Sequence, residues 1–374
     1  MNWSFKLFKA KGIDVKIHMT FVLILIWAAY RWSVSTGEGL MGAAFGIVAT
    51  LLLFASVTLH EFGHSLQALR YGIVVHDITL MPMGGLARIE EMPEDPVKEF
   101  RIAIAGPLVN FVIAGVLFGI GLLLNTRAII SLDELYSSMG QVSWSGMLAY
   151  LTMTNLLLGL FNLIPAYPMD GGRILRAALA KRLGRPRATR IAVSVGQGLA
   201  LLFGLWGFMS GSYTLVLTAI FVWMGAGQEG KEAVVKNVLS EMRVSQAMTR
   251  QPETLRANDG LSKAIHLILS TSQSDFPVTE WGSNHVVGLL CERDLLKGLH
   301  VHDRTTPVRD IMQTTFPTAT PDQPLFEAQK HMVSGRVRAM PVVDDEGDII
   351  GLLTAADISE AYRLLSIRPR TKSS

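Results

Sequence analysis

Over the first 226 residues, long apolar runs alternate with short polar and basic stretches, and beyond that point the pattern changes character. Six apolar segments stand out, at residues 17–32, 40–66, 102–124, 147–164, 191–209 and 213–226. A helix needs about 20 apolar residues to cross the hydrocarbon core of a bilayer. The second, third and fifth segments meet that length, whereas the first, fourth and sixth are short. Ser210-Gly211-Ser212 is a turn signal that joins the last two as a helical hairpin. Residues 73–89 alternate weakly and contain Pro82, Gly84 and Gly85, which predicts a short hairpin or re-entrant element. Non-helical backbone is tolerated at membrane depth only where protein or water satisfies it. The pattern predicts a polytopic α-helical membrane domain of about six transmembrane helices at residues 1–226.

Charge adds an orientation. The net charge is only +3, so its distribution matters more than its sum. With the N-terminus inside, the inner stretches hold Lys6, Lys9, Lys11 and Lys16, then Arg70, Arg88, Lys98 and Arg101. They also hold Arg173, Arg176, Lys181, Arg182, Arg185, Arg187 and Arg190, against only Arg31 and Arg127 outside. By the positive-inside rule this is a multi-pass protein of the cell membrane with a cytoplasmic N-terminus. An even number of spans returns the C-terminal region to the cytoplasm. The basic residues serve orientation, and no nucleic-acid partner is expected. A single cysteine, Cys291, excludes an intramolecular disulfide. The first sixteen residues lack a short apolar stretch with a cleavage site, so no removable signal peptide is expected.

Candidate chemistry lies at the end of the second apolar segment, in His60-Glu61-Phe62-Gly63-His64. Residues four apart share a helix face, so two imidazoles placed this way can bind one Zn²⁺. Glu61 on the adjoining turn can take a proton from an attacking water and pass it to a leaving amine. The motif also arises by chance in unrelated helices. Its position tips the balance, because ionisable groups beside Leu51-Leu52-Leu53-Phe54 are costly in hydrocarbon unless they meet a partner or a cavity. A catalytic zinc takes three protein ligands and keeps one open position. Asp170 is the best third ligand, since Pro165, Pro168 and Gly171-Gly172 break the helix around it. It serves equally well as the cap of a helix at 173–183. His76 is a rival ligand that fits better as a hairpin residue.

His60-Glu61-x-x-His64 together with Asn162-x-x-Pro165-x-x-x-x-Asp170-Gly171 resembles the site-2 protease family of intramembrane metalloproteases. The resemblance covers residues 10–226. It implies zinc on His60, His64 and Asp170, with Glu61 activating water and Asn162 helping to position substrate or transition state. Gly106-Pro107-Leu108-Val109-Asn110 resembles a short motif that family members carry on the third span, read here as packing first and function second. The implied function is hydrolysis of peptide bonds in transmembrane or membrane-associated regulatory proteins near the cytoplasmic face. The alternative is a transporter or channel in which the same ionisable residues form an ion pathway.

After a charged helix at 227–242, the chain repeats itself at a period of 63–64 residues, giving copies at 243–300 and 301–366. Phe276-Pro277-Val278 answers Met340-Pro341-Val342, and Gly288-Leu289-Leu290-Cys291 with Asp294 answers Gly351-Leu352-Leu353-Thr354 with Asp357. Each copy reads as strand, helix, strand, strand, helix. The repeat resembles a tandem pair of CBS domains, an α/β module. The resemblance implies ATP or AMP as a regulatory ligand, with Thr354, Asp357 and Asp294 as contacts, and homodimerisation through the module. Cys291 stands where the first copy's hydroxyl is expected, and both aspartates also suit helix caps. Arg336 and Arg338 are candidates to meet phosphate or are solvated strand residues.

Overall fold

The computed structural model describes residues 3–90, 92–124 and 132–367; Arg127 lies outside them. β1 (Ser4–Ala10) and β2 (Ile13–His18) form an antiparallel hairpin turning at Lys11-Gly12. Ile13 and Val15 alternate inward and are fully buried, the period-2 signature of a strand. The apolar segment expected from residue 17 therefore becomes helical only at Phe21, where α1 (Phe21–Thr36) begins. α2 (Gly39–Arg70) follows, then β3 (Val75–Met81) and β4 (Gly84–Ile89), an antiparallel hairpin where turn residues predicted one. β2 runs parallel to β3, giving one four-stranded sheet in the order β1-β2-β3-β4 with β4 at an edge. Ile13, Ile78 and Leu80 of this sheet share a core with Phe54 and Ala68 of α2 and Ile102 beyond it.

α3 (Pro96–Leu123) starts where Asp95 accepts hydrogen bonds from the Val97 and Lys98 amides, with Pro96 in the first turn where no donor is needed. After α4 (Leu132–Ser138), Ser143 accepts from the Gly146 amide to cap α5 (Trp144–Asn162). The chain then breaks at the prolines, and α6 (Asp170–Leu183), α7 (Arg185–Met209) and α8 (Tyr213–Ser240) follow. α2, α3, α5 and α7 are the four described helices long and apolar enough to cross a membrane. α1, at 16 residues, falls short of that length. α8 continues unbroken past Ala226, so the charged helix expected at 227–242 is largely its C-terminal part.

The chain divides into two compact units, Met1–Lys231 and Glu232–Ser374. After the end of α8, the second continues with α9 (Val244–Ala247), β5 (Thr249–Arg250) and β6 (Leu255–Arg256). α10 (Leu261–Ser270), β7 (Phe276–Thr279), β8 (Val286–Leu290) and α11 (Glu292–Val301) complete the first repeat. α12 (Leu325–Gly335), β9 (Ala339–Val343), β10 (Ile349–Thr354) and α13 (Ala355–Ile367) form the second, whose leading strand is a single bridge from Ala319 to Val342. The repeats interlock: β5 of the first pairs with β10 of the second, and Gln313 returns a bridge to Leu289 of the first. Met248 covers Gly351 and Met312 covers Gly288, so each repeat fills the space over the other's glycine.

Candidate active site

His60 and His64 project from the same face of α2, with ring centroids 4.8 Å apart. Their Nε2 atoms face each other at 3.1 Å. Asp170 Oδ2 lies 3.2 Å from the first and 3.1 Å from the second. All three side chains are buried. The outward nitrogens are both held: His60 Nδ1 lies 2.7 Å from Asn110 Oδ1 and His64 Nδ1 lies 2.7 Å from the Ile102 carbonyl. An oxygen of either kind accepts, so each Nδ1 carries the proton and each Nε2 turns a lone pair inward. Two lone pairs and a carboxylate converging at this range are complementary to a cation. Two imidazoles and one carboxylate are a catalytic zinc's donor set, with partners orienting the rings, so the residues fit the metal.

Backbone geometry explains how a residue 106 positions away arrives here. Asp170 is the first residue of α6, and Met169 before it makes no side-chain cap. A Cβ on Gly171 would come within 2.1 Å of the Ile164 carbonyl, so only glycine lets the first turn of α6 lie on the broken segment. Behind that turn, buried Arg176 donates to Glu99 of α3 through Nε at 2.7 Å and to Glu229 of α8 through a terminal nitrogen at 2.6 Å. Two carboxylates around a buried guanidinium fix α6 between its neighbours. On α3, Ile102, Gly106 and Asn110 line one face at intervals of four. A Cβ at Gly106 would stand 2.2 Å from His64 Nε2. The motif read as packing first thus shapes the histidine pocket as well.

Glu61 sits beside the histidines, half-buried, and Gly85 of β4 packs on it so closely that a Cβ would meet its Cγ at 2.8 Å. Asn162, the last residue of α5, is half-buried, and its side chain makes no hydrogen bond among the described residues. His76 is exposed on β3 and stands apart from the cluster. On the same sheet, buried Asp77 accepts from Arg88 and Lys16. The Arg88 hydrogen bond and then that of Lys16 hold its carboxyl down at about 2. In the second unit, Thr354 donates from both its amide and its hydroxyl to Asp357 Oδ2, each at 2.8 Å, and its hydroxyl oxygen accepts from the Asp357 amide at 3.1 Å, capping α13. In the first repeat Asp294 instead accepts from Gln313, and Cys291 is buried. Arg336 and Arg338 are exposed.

Residues 48–204 match the family model for peptidase family M50, and residues 244–301 and 308–364 match that for the CBS domain. The zinc metalloprotease MJ0392 of Methanocaldococcus jannaschii is 34% identical, with the full length of both chains covered. The chain belongs to peptidase family M50. This M50 peptidase is also similar to the putative zinc metalloprotease Rip3 of Mycobacterium tuberculosis, 30% identical over 99% of this chain and 96% of that one. Among solved structures it is similar to the site-2 protease from Methanocaldococcus jannaschii, 41% identical over 61% of this chain and 95% of that chain, with a TM-score of 0.43. It is a zinc metalloprotease with a membrane-type M50 domain followed by two CBS domains. The transporter or channel alternative is not favoured, because relatives spanning the whole M50 peptidase are named metalloproteases.

Proposed function

We propose that the protein cleaves peptide bonds of transmembrane or membrane-associated regulatory proteins, close to the cytoplasmic face of the membrane. The observation that carries this reading is the convergence of His60 Nε2, His64 Nε2 and Asp170 Oδ2 within 3.2 Å of one another, with both outward nitrogens tied to oxygens. These three atoms would hold zinc. When bound, zinc supplies Lewis-acid chemistry, polarising a carbonyl and lowering the pKa of water toward about 7. Glu61 takes the proton of the attacking water and hands it to the leaving amine. The side-chain amide of Asn162, without a hydrogen bond among the described residues, steadies the substrate carbonyl. β4 is an edge strand passing Glu61 at Gly85, so an extended substrate segment gains backbone hydrogen bonds along its open side.

In this reading α1, α2, α3, α5, α7 and the apolar half of α8 make six spans. The basic residues between them put the N-terminus and the CBS pair in the cytoplasm. The second CBS repeat binds an adenine nucleotide. Asp357 Oδ1 makes no hydrogen bond among the described residues and is available to a ribose, whereas Asp294 is engaged by Gln313. ATP or AMP is expected to change the cleavage rate, and Asp357→Ala to remove that response while leaving basal cleavage intact. The metal assignment is tested by zinc analysis of the dialysed full-length protein. About one zinc per chain is expected for the wild type and none for Asp170→Ala; equal zinc in both would refute the ligand set.

A further inference from the structure

The two histidines are oriented by different means. His64 is held by the main-chain carbonyl of Ile102, which can only accept. His60 is held by a side-chain amide, and an amide can turn over. With its nitrogen toward His60, Asn110 would donate to Nδ1, the proton would move to Nε2, and that ring would lose its inward lone pair. Something has to fix which way Asn110 faces.

Asn110 Nδ2 donates to Asn155 Oδ1 of α5 at 3.4 Å. Asn155 Nδ2 in turn donates to the Leu151 carbonyl at 2.8 Å and to Ser56 Oγ at 3.2 Å. Ser56 spends its own proton on the Leu52 carbonyl at 3.2 Å, so its lone pair is what faces Asn155. The Leu151 carbonyl has no proton to give. Asn155 must therefore present its nitrogen to Leu151 and its oxygen to Asn110. That oxygen obliges Asn110 to present nitrogen toward Asn155 and oxygen toward His60. Asn110 and Asn155 are fully buried, and Ser56 and His60 nearly so, which keeps water from substituting for any member.

We propose that Asn155 is a positioning residue for the metal centre: it fixes the amide of Asn110, and through it the tautomer of His60 that leaves Nε2 open to a metal ion. Two helix carbonyls anchor the relay, so its direction is set by the backbone of α2 and α5. The inference rests on the reading of His60 as a zinc ligand.

The test measures zinc dissociation constants of the full-length, detergent-solubilised protein by chelator competition, a readout that does not need substrate. Asn155→Leu removes the anchor, and zinc binding is expected to weaken by about 10- to 100-fold, the usual cost of losing an outer-shell partner. Asn110→Asp places a carboxylate on Nδ1–H that accepts from either oxygen, so the double variant Asn110→Asp/Asn155→Leu is expected to return to within about threefold of the wild type. Thr152→Val removes a buried hydroxyl without a hydrogen bond from the same helix and is expected to leave zinc binding unchanged. Wild-type affinity in Asn155→Leu, or failure of the double variant to recover, would overturn the relay. Absence of zinc binding by the wild type would instead overturn the metal reading on which it rests.

Discussion

Replacing Gly106 with alanine puts a methyl group into space that the histidine rings occupy. The new Cβ would stand 2.2 Å from Nε2 and 2.6 Å from Cε1 of His64, and 2.8 Å from Cε1 of His60. Ordinary contact begins at 3.4 Å, so a relative shift of about 1.2 Å is needed, well beyond what a close-packed interior gives without rearrangement. The rings cannot yield alone, because Ile102 and Asn110, which hold their Nδ1 atoms, sit on the same helix as Gly106. Moving α3 outward drags both anchors with it. Metal–ligand distances tolerate about 0.2 Å, and a displacement of about 1 Å at a reacting centre costs about 100-fold. Gly106→Ala is expected to lower zinc affinity and peptide-bond cleavage by about 100-fold each. Zinc affinity is read by chelator competition and cleavage by product formation from a transmembrane substrate. An alanine variant that binds zinc within threefold of the wild type and cleaves normally would refute the steric argument.

Gly171→Ala should act on the third ligand. Its Cβ would collide with the Ile164 and Leu163 carbonyls, lifting the first turn of α6 and Asp170 with it. The zinc content of dialysed protein should drop below half of the wild-type value, and unchanged content would contradict the proposed role of that turn. Asp77, held at about 2 by Arg88 and Lys16, should contribute stability that is full above about pH 4 and is lost as pH falls toward 2. Thermal melts between pH 2 and 5 should therefore depend less steeply on pH in Asp77→Asn, and identical slopes would count against the ion cluster. Burial, and then the charge of Asp275, push the Cys291 thiol up to about 12, so it stays protonated at pH 8. Its alkylation by iodoacetamide should be at least about 100-fold slower in the folded protein than in denaturant; similar rates would contradict its buried state.

The candidate metal cluster is legible in the sequence because its parts are local: two histidines within five residues, with a glutamate between them, and an aspartate in a proline- and glycine-marked break. The CBS repeat was equally legible through its period. What stayed hidden depends on contacts between distant segments. Asn155 is an unremarked polar residue in an apolar run, and its partners Asn110 and Ser56 come from other helices. The spacing of Ile102, Gly106 and Asn110 by four is a signal for a shared face, but a carbonyl acceptor such as that of Ile102 leaves no mark in side-chain identity. The hairpin at Ser4–Ala10 and Ile13–His18 was obscured because Ile17 and the residues after it continue the apolar run. The exchange of β5 onto the second repeat's sheet was hidden for a related reason: two residues carry no periodicity of their own.

In the proposed mechanism Glu61 carries the proton in a zinc-dependent hydrolysis built by α2, α3 and α6. The most direct measurement pairs zinc content with cleavage of a transmembrane substrate in liposomes, for the wild type and for Glu61→Gln. About one zinc per chain is expected in both proteins, with product formed only by the wild type. Cleavage at a comparable rate by Glu61→Gln would contradict this mechanism.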